Sequence, residues 1–157
     1  MVTRSIGRRA IFAIGLTLYG GSFFLMAVGS VGPGSPRPGY MCAWMALVLP
    51  WGGNLFGHQG LFENKLLDYL GVLLSGWINP VFLVTAVLVL LTPSARTTRV
   101  LAIAALAMIP LCWIVMYDHD MYPREGHVVW IAGMVLVLGE GLRTEIRPTL
   151  RRTTVAV

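Results

Sequence analysis

The sequence predicts an all-α membrane protein with four transmembrane helices and short interfacial helices on the outer side, and three observations lead there. Apolar residues make up 56% of the 157-residue chain and charged residues only 12%, with a mean hydropathy of +0.72; soluble domains carry about 25% charged residues. Several apolar runs approach the roughly 20 residues that cross about 30 Å of hydrocarbon. Backbone polar groups in hydrocarbon must be satisfied locally, so such runs are helices, and the alternation that marks barrel strands is absent. The length corresponds to a single domain.

Span one is expected over residues 10–31. Arg4, Arg8 and Arg9 precede an apolar run from Ala10 to Val31, which a Gly- and Pro-rich stretch from Gly32 to Gly39 stops. A cleaved signal peptide shares the basic start, but its apolar core is only about 7 to 15 residues long, so an uncleaved signal-anchor helix is favoured. Ala13, Thr17 and Gly21 recur every four residues and predict a face for close helix packing.

Residues 32–70 form an outer loop. Within it, Tyr40 to Leu49 is too short to span and reads as an interfacial or re-entrant helix, with Tyr40, Trp44 and Trp51 at headgroup level. Leu61 to Ser75 places Phe62, Leu66, Tyr69, Leu70 and Leu73 at helical spacing opposite Glu63, Asn64 and Asp68, an amphipathic pattern suited to the interface.

Span two is expected over residues 71–91. Asn79 and Pro80 look like a helix N-cap and first-turn proline. A crossing from Pro80 to Leu91, however, has 12 residues and covers roughly 18 Å at about 1.5 Å per residue. The embedded segment therefore starts near Gly71, with Pro80 as a kink. Thr92 to Arg99 is a turn, span three covers 100–117 with Pro110 inside it, and span four covers 128–142. Residues 143–157 make a tail carrying Arg143, Arg147, Arg151 and Arg152.

Four spans put both termini on one side, and the distribution of charge says which. Nine of the twelve Lys and Arg residues lie at the N-terminus, in the Thr92–Arg99 turn and in the tail; the other side holds Arg37, Lys65 and Arg124. Both termini are therefore expected in the cytoplasm. Glu63, Asp68, Asp118, Asp120, Glu125 and all three histidines fall outside, with Trp77, Trp113, Tyr117, Tyr122 and Trp130 as an outer aromatic belt. The net charge of +5 thus follows from topology and not from nucleic acid, which is not expected as a partner. The expected partners are the lipid bilayer and other membrane proteins or further copies of this chain.

At Trp77, Ile78, Asn79 and Pro80, and again from Gly126, His127, Val128, Val129 and Trp130 through Ile131, Ala132, Gly133 and Met134, the chain resembles small four-span bacterial membrane proteins. Those proteins carry Trp-x-Asn-Pro before span two and a Gly-Tyr-Tyr-x-Trp-like start to span four; His127 stands where that pattern has an aromatic. The resemblance implies the four-span layout and brings no assigned activity. Together with 11 Arg against 1 Lys, it points to the cytoplasmic (inner) membrane of a bacterium.

Chemistry-bearing side chains concentrate between Asp118 and His127, which hold five of the ten Asp, Glu and His residues. Asp118, His119, Asp120 and His127, joined by His58, have the imidazole and carboxylate donors of a divalent-metal site, although their spacing matches no established motif and a solvated loop is the plainer reading. Glu140, between Gly139 and Gly141, is an ionisable residue inside a span and so a functional candidate, but it lies within one turn of Arg143 and can simply pair with it. Cys42 and Cys112 are too few for a disulfide scaffold or zinc cluster; one bridge between them is the most they supply. No cofactor is implied beyond that metal. The function expected is a non-enzymatic accessory or assembly component, with a small oligomeric transporter and a membrane enzyme built on the outer His/Asp cluster as alternatives.

Overall fold

The computed structural model describes residues 2–30, 36–48, 66–92, 96–118 and 121–143. Five helices dominate: α1 (Val2–Ser22), α2 (Gly39–Val48), α3 (Leu66–Leu91), α4 (Arg96–Asp118) and α5 (Glu125–Arg143). Three short strands, β1 (Met26–Ser30), β2 (Arg37–Pro38) and β3 (Met121–Pro123), form an antiparallel sheet in the order β2-β1-β3.

Stretches in three of the helices are long and apolar enough to cross a membrane: Leu73–Leu91, Arg96–Ile114 and Glu125–Arg143. Leu83, Val84, Val87 and Leu90 of α3 and Val100, Ile103 and Ile114 of α4 are half or more exposed. An apolar surface this continuous is unfavourable in water and expected against lipid. The opposite faces make the core. Ile78, Phe82, Ala86 and Val89 recur at helical spacing along α3 and meet Ala102 and Ala105 of α4 and Met134, Val137 and Leu138 of α5.

Helix α5 is the hub, packed against α1, α3 and α4. It runs antiparallel to α1, with Arg8 beside Glu140 and Gly15 beside Gly133, and β1 continues past it with Met26 beside Gly126. Gly133 makes the close approach possible, since a Cβ there would lie 2.5 Å from the Tyr19 nitrogen and 2.7 Å from the Gly15 oxygen. Helix α2 docks on α3 in the same way, with the Ala46 carbonyl seated where a side chain on Gly76 would stand.

Several sequence expectations change here. The first helix ends at Ser22 and not near Val31. Gly20 and Gly21 are poor helix formers, the Ser22 hydroxyl donates to the Tyr19 carbonyl at 2.6 Å, and the next amides close single turns from Phe23 to Gly20, Phe24 to Gly21 and Leu25 to Ser22. The chain then extends as β1, whose backbone is paired on both sides. Strands of two to five residues are too short to leave an alternation signal. On α1 the packing face is Phe12, Gly15, Tyr19 and Ser22, while Ala13, Thr17 and Gly21 are exposed. Small residues permit close approach, but Phe12 and Tyr19 determine which face is buried.

As expected, Pro80 lies inside a helix and does not start one. Asn79 and Pro80 both belong to α3, which runs unbroken from Leu66, so the span expected from 71 is joined to the end of the outer segment as one helix. The amphipathic stretch expected from Leu61 is continuous with this helix from Leu66 onward, and its first residues lie outside the described ones. The short helix expected at Tyr40–Leu49 is α2. Pro110 is carried inside α4, as expected.

Candidate functional site

The polar side chains of the bundle form two groups. The larger is a chain of contacts that touches all four long helices. Asn79 of α3 stands at its centre: its Oδ1 accepts from the Tyr19 hydroxyl of α1 and from the Trp130 Nε1–H of α5, each at 3.0 Å. Indole N–H is a donor only, which fixes the orientation of the Asn79 amide. The Trp130 ring stacks on His127 of the same helix, with centroids 5.2 Å apart. His127 Nε2 in turn accepts from the Trp113 Nε1–H of α4 at 2.9 Å. That bond requires an unprotonated Nε2, so the imidazole hydrogen sits on Nδ1.

Local structure explains each position. His127 and Trp130 are three residues apart on α5 and therefore share a face; both are buried. The His127 amide donates to the Arg124 carbonyl, which starts the helix ahead of the predicted Val128. Tyr19 is held by edge-on contact with Phe23 at 5.1 Å and by Phe82 at 4.2 Å. Pro80, next to Asn79, supplies no N–H to the Gly76 carbonyl, and that turn is the one on which α2 is seated.

The second group lies at the other end of α5. Glu140 is only 3% exposed. Its Oε2 accepts from Arg8 Nε and its Oε1 from Arg143 Nη1, both at 3.0 Å. The two arginines remain 49% and 69% exposed. The pairing with Arg143 is the one the sequence spacing anticipates. The one with Arg8, 132 positions away, is not. Nearby, the buried Thr98 hydroxyl donates to the Thr92 carbonyl at 2.9 Å and ties the first turn of α4 to the end of α3.

The residues considered for a metal fare differently from one another. His58, His119 and Asp120 lie outside the described residues. Asp118 is the last residue of α4. His127 is turned into the bundle, with Nε2 occupied by Trp113. Among the described residues no group of three or more His, Cys, Asp or Glu side chains is placed to hold a metal ion. Cys42 and Cys112 are both free thiols; Cys42 Sγ contacts the Arg37 carbonyl and Cys112 Sγ the Met108 carbonyl, each at 3.9 Å. Burial pushes the Cys42 thiol above its ordinary pKa, against the lowering field of Arg37.

Of the expected aromatic belt, Trp77, Trp113, Tyr117 and Tyr122 are exposed, whereas Trp130 is buried on Asn79. A Trp-x-Asn-Pro motif and a Trp one turn into the last span were both visible in the sequence. What joins them is distance in space, which neither stretch encodes alone.

Comparison with known protein families, with curated proteins and with solved structures finds no match for this chain.

Proposed function

We propose that the protein is a four-span component of a bacterial inner membrane, with both termini in the cytoplasm, serving as a non-catalytic accessory or assembly subunit that acts through its helical surface. The observation that carries this is the use of the interior polar groups. Tyr19, Asn79, Trp130, His127 and Trp113 are joined to one another across α1, α3, α4 and α5, and among the described residues no buried side-chain nitrogen or oxygen lacks a partner. Polar groups committed to one another hold helices in register; a reaction or transport path needs groups turned toward a substrate.

The fourth crossing rests on α1. It lies antiparallel to α5 from Arg8 beside Glu140 to Tyr19 beside Gly133, and β1 continues the path to Met26 beside Gly126, so α1 and β1 together follow α5 along most of its length. Its arginines lower its hydropathy, and they sit at the end where Arg96, Arg99 and Arg143 also gather. The sheet, α2 and Arg124 are then on the periplasmic side, with Tyr40 and Trp44 of α2 exposed at 59% and 62% in the manner of interfacial anchors.

A fluorescent-protein fusion after Val157 tests the topology: it is expected to be bright, and a dark, full-length fusion refutes it. Gentle solubilisation followed by size-exclusion tests the role. A heteromeric complex of fixed stoichiometry supports it, and a homo-oligomer that moves solute across proteoliposomes overturns it.

A further inference from the structure

We propose that Arg8 and Arg143, held side by side on Glu140, bind the phosphate of an anionic phospholipid at the cytoplasmic ends of α1 and α5. The leaflet named here rests on the topology proposed above; the lipid preference does not.

Glu140 takes one guanidinium on each of its oxygens, through Arg8 Nε and Arg143 Nη1. Two like charges are thereby held within reach of one buried carboxylate, and the cluster keeps a net charge of about +1 by simple counting of ionised groups. A structural ion pair needs one cation. The second leaves an excess positive charge beside hydrocarbon, where an anion is the natural complement. Each guanidinium spends one of its N–H groups on Glu140, and both side chains are about half exposed or more, so further donors face the surroundings. Guanidinium forks match phosphate oxygens bidentately. Helix α4 begins beside the cluster, with Thr98 Cγ2 3.9 Å from the position of a Cβ on Gly141, and the first turn of a helix adds favourable potential for an anion.

The surface next to the pair favours a lipid over a free ion. Gly139, one turn outward from Arg143, is half-buried, and a Cβ there would meet nothing within 4 Å among the described residues. Leu136, two turns before Arg143 on α5, and Ile11, one turn after Arg8 on α1, are half-buried. An acyl chain lies in the notch that Gly139 leaves, below a phosphate on Arg8 and Arg143. Glu140 is a positioning residue in this site: it aligns the arginines and does not touch the lipid.

The test uses the full chain in neutral detergent, with binding read by native mass spectrometry against phosphatidylglycerol, phosphatidylcholine and inorganic phosphate. The parent is expected to hold phosphatidylglycerol at least about tenfold more tightly than phosphatidylcholine, given about 1 kcal/mol for each arginine near a membrane anion. Arg8→Ala with Arg143→Ala removes the preference. Gly139→Leu, which fills open space and leaves the arginines in place, weakens phosphatidylglycerol several-fold. If the double alanine variant does not fold, Arg8→Lys with Arg143→Lys keeps both charges on Glu140, removes the forks, and is expected to lose several-fold. No preference in the folded parent overturns the proposal, as does a preference unchanged in the folded arginine variants. Inorganic phosphate competing as well as the lipid reduces the site to a small-anion site and also overturns it. Micelles have no sidedness, so a failed topology fusion moves the site to the other leaflet without touching this result.

Discussion

Replacing Asn79 with alanine removes the acceptor that the Tyr19 hydroxyl and the Trp130 indole N–H share among the described residues. Hydrogen bonds between transmembrane helices are worth about 0.6 kcal/mol on average and at most about 1.7 kcal/mol, because the unfolded chain in lipid also finds partners. Two bonds therefore set the loss at about 1–3 kcal/mol, and not the roughly 2–6 kcal/mol that two orphaned donors would cost in a water-excluded soluble core. Tyr19→Phe removes one bond and keeps the ring contacts to Phe82 and Phe23, so it costs about 0.6–1.7 kcal/mol alone. In the Asn79→Ala background that hydroxyl has nothing left to lose. The double variant should then fall short of additivity by about the same amount. Reversible unfolding in mixed micelles, followed by helical circular dichroism as sodium dodecyl sulfate is raised, measures all four species. Additivity within about 0.3–0.5 kcal/mol refutes the claim that Asn79 joins α1 to α3.

Three further predictions follow from the same contacts. Gly133→Ala forces a Cβ against backbone atoms of α1 that cannot rotate away, and should cost about 1–3 kcal/mol in the same unfolding assay; Gly20→Ala and Gly21→Ala meet open space and should cost nothing. Glu140→Gln breaks a buried carboxylate away from two arginines, but these are 49% and 69% exposed and able to reach water, so the loss should be about 1 kcal/mol and not the roughly 3–5 kcal/mol of a fully buried pair. Cys42 in a Cys112→Ser background should react slowly with a maleimide at neutral pH. Its raised thiol pKa keeps the thiolate scarce, so the rate should still be climbing at pH 9.0, and a rate that levels off below that pH contradicts the burial of the side chain.

The membrane character and the helices of the last three apolar runs were legible because both follow from composition over some twenty consecutive residues. Helix α2 was legible for a related reason, as Pro- and Gly-rich stretches bound ten apolar residues on both sides. Local patterns leave a residue's use open where it has two. Asn79 before Pro80 matches a helix start, yet an asparagine inside a span also serves as an acceptor for neighbouring helices, and only the arrival of Tyr19 and Trp130 selects that use. His127 followed an acidic run and read as part of it, while the turn closed on Arg124 rolls it into the bundle toward Trp113.

The sequence by itself thus determined the apolar character, the helical content and the presence of the last three long helices, since each depends on residues near one another along the chain. Tertiary structure alone decided which face of α1 is buried, that β1 is flanked by two strands, that Asn79 links three helices, and that Glu140 holds Arg8 as well as Arg143. Those are contacts between residues from 9 to 132 positions apart. No local pattern encodes them, because they depend on how closely the glycine-lined helices approach and which side chains then come within about 3 Å of each other.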